Sequence, residues 1–145
     1  MDAISEIYLA TDFAEHSQKA EKKAMMMAKK LHVPLNIIYI LDTEIMSPGL
    51  YYEVMDKHPE WIEEARAEMR KNSQALITKL HKELKATGQK YILEGKPKEK
   101  LVEFIEKNNV ELLIMGKRGG KGVSYVGSVS EYVTRHANCS VLLVS

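Results

Sequence analysis

The residues of this sequence best suited to chemistry are concentrated between Ile114 and Tyr132, IMGKRGGKGVSYVGSVSEY. Five of the chain's eight glycines stand there, at 116, 119, 120, 122 and 127. An apolar run ends at Gly116, a glycine-rich basic loop follows, and Gly127 and Ser128 open a helical stretch. Such a segment suits an anion. Glycines let backbone N–H groups approach a phosphate, a helix start carries partial positive charge, and Ser128 adds a hydroxyl donor. Lys117, Arg118 and Lys121 add formal charge. A glycine cluster also serves as a tight connection with no ligand; its place after a strand and before a helix favours the anion site.

Neighbouring patterns exclude several enzymes. Gly122-Val-Ser124-Tyr-Val-Gly127 has one residue too many for a Gly-x-Ser-x-Gly nucleophile elbow. Neither Lys117 nor Lys121 is followed by Ser or Thr, as a Walker A loop requires, and Tyr125 stands where a Gly-x-Gly-x-x-Gly fingerprint needs its third glycine. The five histidines show no metal-ligand spacing and suit surface or cap positions. Met25-Met26-Met27 reads as adaptable core filler. Cys139 precedes a buried strand and reads as structural, its reactivity depending on exposure. Asp12 ends the first apolar run, either as part of a site or as a turn-former capping local N–H groups.

The elements that must position these residues alternate. Apolar, β-branched runs at Ile7 to Ala10, Leu35 to Leu41, Tyr91 to Leu93, Val110 to Met115 and Ser140 to Val144 read as buried strands. A helix from about His16 to His32 carries the stripe Ala20, Ala24, Met27, Ala28 and Leu31. Pro59 opens a second, with Ile62, Ala65, Met69, Leu76, Leu80 and Leu84 on its apolar face and Gly88 as its stop. Pro97 opens a third around Leu101, Phe104 and Ile105, and Ser128 a fourth around Val129, Tyr132 and Val133. Nearly continuous apolar strands joined by helices predict an α/β fold: an open five-stranded parallel sheet with helices on both faces. Residues 43–58 (TEIMSPGLYYEVMDKH) are too long for an ordinary connection and read as a lid or partner surface. Trp61, with Tyr51 and Tyr52, either packs this excursion onto the second helix or helps form a lid.

A length of 145 residues is expected to form one domain over 1–145. The formal charge is +1 and 45% of residues are hydrophobic, which excludes disorder and gives no signature of a nucleic-acid binder. The first 72 residues carry 13 acidic side chains against 9 basic, and the last 73 carry 12 basic against 7 acidic. One cysteine, no leader-like start and no apolar run near the ~20 residues of a bilayer span predict a reducing, cytoplasmic setting without a membrane.

Over almost its whole length the chain resembles a universal stress protein. Asp12-Phe13-Ala14-Glu15-His16-Ser17 is similar to the family's Asp-x-Ser-x-x-Ser turn, with Ala14 for the first serine. Tyr39-Ile40-Leu41-Asp42, Gly95 and Cys139-Ser140-Val141-Leu142-Leu143-Val144 match further signatures, with Ser140 in place of a proline. Gly116, Gly119, Gly127 and Ser128 resemble the Gly-x2-Gly-x9-Gly-Ser/Thr motif of the ATP-binding branch, with seven residues in place of nine.

The resemblance implies a Rossmann-like sheet of the adenine nucleotide alpha hydrolase type, with order 3-2-1-4-5. It also implies a ligand mouth where strands 1 and 4 part. Carried onto this sequence, Ala10, Thr11 and Asp12 line the floor, Ile40 and Met115 flank an adenine, Gly116 and Gly119 admit ribose and phosphates, and Gly127, Ser128, Val129 and Ser130 hold the phosphates. The implied ligand is ATP or AMP, with Mg2+ or Mn2+ reached indirectly through Asp12. The implied assembly is a homodimer through the C-terminal strand, acting on a protein partner in a stress response, with no specific nucleic acid. A nucleotide-free dimeric adaptor and a slow ATP hydrolase are the alternatives. Enzymes of the wider fold lack their signatures here, and a receiver domain's phosphoacceptor Asp is replaced by Glu94 and Gly95 after strand 3.

Overall fold

The computed structural model describes residues 3–44, 46–117 and 127–145. Five strands, β1 (Ile7–Ala10), β2 (Leu35–Leu41), β3 (Lys90–Glu94), β4 (Leu112–Gly116) and β5 (Ser140–Val144), form one parallel sheet in the order β3-β2-β1-β4-β5. The chain reverses its direction of travel across the sheet at β1, which leaves β1 between β2 and β4. Tyr8 lies opposite Asn36 on one side and Leu113 on the other.

Helices α1 (Gln18–Leu31) and α3 (Pro59–Glu83) cover one face, and α4 (Pro97–Lys107) and α5 (Ser128–His136) cover the other. The period-two alternation of strand side chains sorts β1 between two cores. Ile7 and Leu9 join Ala20, Ala24, Ile77 and Leu80 on the first face, whereas Tyr8 joins Leu101, Phe104, Leu113 and Val133 on the second. Alanines at 20, 24 and 28 are the buried apolar residues of α1, so this helix lies close against the strands.

Several expected details differ. Residues 43–58 are not an open excursion: Pro48–Lys57 forms α2, with Pro48 at its first turn and the Ser47 hydroxyl accepting from the Leu50 N–H at 3.4 Å. Pro-Gly looks like a turn in sequence, but proline is well placed where a helix has no N–H bond to lose. None of α2 is buried, and it packs against α3. The Arg66 guanidinium lies 5.9 Å from the Tyr51 ring centre, and Trp61 stacks on His58 at 3.8 Å.

α3 does not run to Gly88. It ends at Glu83, and Lys85 takes a left-handed turn (φ 50) while the Ala86 N–H returns to the His81 carbonyl. Gly88 serves close approach instead, since a Cβ there would run into the Asn36 amide oxygen and the Leu35 carbonyl. Helix α1 begins only at Gln18, after a single 3-10 turn at Glu15–Ser17. Leu31 and Leu76, expected on buried stripes, are about half exposed, because they fall beside rather than on the arcs that meet the sheet. Met25 and Met27 pack against the core, and Met26 is exposed. Among the described residues no helix is long and apolar enough to cross a membrane.

Candidate functional site

Where β1 and β4 diverge to opposite neighbours, their C-terminal ends leave a cavity of about 230 Å³. Its floor is the end of β1 and the following turn, with Ala10, Thr11, Asp12, His16 and Ser17. One wall is Ile38, Tyr39 and Ile40 of β2, and the other is Met115 and Gly116 of β4. The rim is made by helix starts: Pro97 with Leu101 on α4, and Gly127, Ser128, Val129 and Ser130 at the opening of α5. Ten of the eleven sequence-derived site residues are thus brought together, from four separated segments. The eleventh, Gly119, lies outside the described residues, as do Arg118 and Lys121.

The Gly127 N–H donates to the Lys117 carbonyl at 2.8 Å, which fixes α5 relative to the end of β4. Ser130 is 3% exposed and its hydroxyl donates to the Gly116 carbonyl at 2.7 Å, so this serine ties α5 to the sheet. The Ser128 hydroxyl makes no hydrogen bond among the described residues, and no side chain caps the α5 start. The backbone N–H groups of Ser128, Val129 and Ser130 are first-turn donors that a helix cannot satisfy itself, and these three residues line the cavity.

Asp12 is densely bonded. Its Oδ1 accepts from the Ala14 N–H at 3.0 Å and the Ser17 hydroxyl at 2.6 Å, and its Oδ2 pairs with His16 Nε2 at 2.9 Å. Both readings of Asp12 thus meet in one residue: it builds the turn and also faces the cavity. The order Ser17–Asp12–His16 is not a hydrolase triad, because the serine bonds the carboxylate and not the imidazole.

His16 was expected at a surface or cap. It lines the cavity instead, with its side chain 18% exposed, because the 3-10 turn rolls it over Asp12 before α1 begins. Ser17, Ile38, Tyr39, Pro97 and Leu101 were also missed. The i, i+4 spacing of Asp12 and His16 was the available signal for one of them. Burial pushes the Tyr39 hydroxyl above its usual pKa, with a hydrogen bond to Ser73 opposing, so it is a neutral wall. Burial likewise raises the Cys139 thiol, which lowers its thiolate fraction and fits a structural role. Tyr51, Tyr52 and Trp61 do not line the cavity.

A model of the universal stress protein family matches residues 4–145. The chain belongs to the universal stress protein family. A universal stress protein of Methanocaldococcus jannaschii is 31% identical over 144 residues, covering 95% of this chain and 80% of that one. A universal stress protein solved in complex with cAMP superposes with a TM-score of 0.68 at 22% identity, over 99% of this chain and 98% of the other. The universal stress protein of Archaeoglobus fulgidus, solved in complex with dAMP, gives 0.63 at 16% identity over the full length of both. These likenesses place the five-stranded sheet and its strand order in the fold of that family.

Proposed function

We propose that the protein is a cytoplasmic regulator that binds an adenine nucleotide, ATP or AMP, in the cavity between β1 and β4, and that it works as a homodimer on a protein partner in a stress response. The observation that supports this reading is that the start of α5, with three first-turn N–H groups the helix cannot satisfy itself and a serine hydroxyl without a hydrogen bond among the described residues, lines an otherwise largely apolar cavity at the sheet's switch point. Relatives of the same fold solved with cAMP and with dAMP support the adenine assignment.

In this reading Ile40 and Met115 sandwich the base, the backbone at Ala10, Thr11 and Gly116 borders the sugar, and the α5 start receives the phosphate. The cavity is near the small end of ligand pockets, which begin at roughly 300 Å³. That size fits the nucleoside, with phosphates outside it along the helix start. Asp12 is already bonded to Ala14, Ser17 and His16, so in this reading Mg2+ or Mn2+ would be held chiefly by the phosphates, with Asp12 nearby and indirect. There it would neutralise phosphate charge.

Isothermal titration with ATP, AMP and GTP tests the proposal. Saturable binding of ATP or AMP and weaker binding of GTP is expected. No heat from any adenine nucleotide up to millimolar concentration, a binding free energy weaker than about −4 kcal/mol, overturns it and favours the adaptor.

A further inference from the structure

Behind the cavity floor sits a carboxyl group that the fold does not need. Glu21, in the first turn of α1, is 8% exposed. Its Oε2 accepts a hydrogen bond from the Thr11 hydroxyl at 2.7 Å. Among the described residues no Lys, Arg or His forms an ion pair with it. The charged groups that bear on it are Asp12, from the β1 turn, and Glu83, from α3; both are acidic. The sheet residues of β4 and β5 bring no ionisable side chain, and the groups that favour its charge are the Thr11 hydroxyl and the α1 dipole. Burying a carboxylate without a counter-charge is unfavourable, and an apolar residue of similar size suits such a position better.

What Glu21 touches gives it a purpose. The Thr11 oxygen that donates to Glu21 also accepts the Phe13 N–H at 3.0 Å. Phe13 has φ 63, a conformation that a residue with a bulky side chain adopts only under restraint. The turn it creates sends the Ala14 N–H and the Ser17 hydroxyl to Asp12, and Asp12 holds His16. Two sets of hydrogen bonds, Glu21–Thr11–Phe13 and Ala14/Ser17–Asp12–His16, joined by the Phe13–Ala14 backbone, therefore link α1, on one side of β1, to the cavity on the other.

We infer that Glu21 is a positioning residue for the cavity: through the Thr11 hydroxyl it holds the left-handed Phe13 turn in the shape that presents Asp12 and His16 to the ligand. Because an ionised carboxylate only accepts, it forces the Thr11 hydrogen toward α1 and leaves the Thr11 lone pair for Phe13. This inference deepens the nucleotide-binding reading and rests on it for its ligand.

The test compares Glu21→Gln, which keeps an accepting oxygen, with Glu21→Leu, which keeps bulk and removes it. AMP affinity, measured by calorimetry well below each melting temperature, should stay within threefold for Glu21→Gln and fall at least tenfold for Glu21→Leu. Equal AMP affinity of wild type and Glu21→Leu overturns the inference. Amide exchange gives a readout independent of nucleotide: Phe13 and Ala14 should exchange at least tenfold faster in Glu21→Leu than in Glu21→Gln, and equal rates overturn it.

If wild type itself ignores AMP, the nucleotide reading fails while the exchange result still decides the role of Glu21. Should the leucine variant not fold, an NMR titration of wild type against Glu21→Gln decides it. The Phe13 amide shift should follow a carboxyl titration present in wild type and missing in Glu21→Gln, which separates Glu21 from Asp12, Glu83 and His16. Superimposable Phe13 curves overturn it.

Discussion

Two serines two residues apart at the start of α5 do opposite work. Ser130 spends its hydroxyl on the Gly116 carbonyl, whereas the Ser128 hydroxyl is unspent among the described residues. Replacing Ser130 by Ala leaves a carbonyl acceptor without its donor and should cost about 1–3 kcal/mol of stability. Replacing Ser128 by Ala should leave the melting temperature unchanged and weaken AMP binding about ten- to hundredfold, the worth of one hydrogen bond to a charged group. Denaturant melts and titration calorimetry on the two variants separate these outcomes.

Glu21 supplies a prediction of stability against pH. Burial raises its folded pKa above the unfolded value of about 4.3, the Thr11 hydrogen bond opposing this in part. The folded chain therefore holds that proton more tightly than the unfolded one, so its contribution is most favourable below the unfolded value. It is lost as pH rises through the folded value. Glu21→Gln, neutral throughout, should melt above wild type at pH 7, and the difference should shrink toward zero near pH 4. A difference that does not vary with pH would show that the carboxyl titrates normally.

Among the elements, β1, β2 and β4 were legible because burial on both faces leaves an apolar run with little room for another reading, and the edge strands β3 and β5 because their cores are apolar and β-branched even though partly exposed. β5 and the starts of α3, α4 and α5 fall at the expected residues, the last three marked by Pro59, Pro97 and Gly127-Ser128. α2 was not legible because it has no buried face. With no apolar stripe to satisfy, its sequence resembles a loop, and only its Ser-Pro start marks it. The backbone motif of the cavity was readable through glycine and serine spacing. His16 and Tyr39 were not, since a 3-10 turn and a strand's facing direction decide them.

The same contrast predicts element energetics. Leu50, 49% exposed on α2, should tolerate change to Ser within about 0.5 kcal/mol. Ala24, fully buried where α1 meets the sheet, should not accept Leu, which overpacks the contact at a cost of about 1–3 kcal/mol. Urea melts of both variants check this.

At the scale of the whole molecule, the sheet is unevenly finished. β1 and β4 are almost wholly buried, but Val141, Leu142, Leu143 and Val144 of β5 each keep partial exposure at the outer edge. On its inner side β5 is fully paired with β4, from Ser140 opposite Leu112 to Val144 opposite Gly116. Its outer side is an apolar strand edge, a form that readily pairs with another strand. Leu142 and Val144 lean toward the α1 core, and Val141 and Leu143 toward the α5 core, so a second copy laid antiparallel along the edge would extend both cores at once. Such an assembly is symmetric and self-terminating, as a two-fold contact must be.

Light scattering is expected to give twice the 16.5 kDa chain mass, and Leu143→Lys should shift the population toward monomer by placing a charge on the joined apolar face. The acidic first half and basic second half offer a rival contact, opposite charges pairing head to tail. That contact would weaken as salt rises, whereas an apolar strand edge would not. A dimer that persists in high salt and is lost in Leu143→Lys assigns the interface to β5. A dimer that dissolves in salt and survives Leu143→Lys assigns it to the charged halves, and a wild-type monomer removes the homodimer from the proposed function.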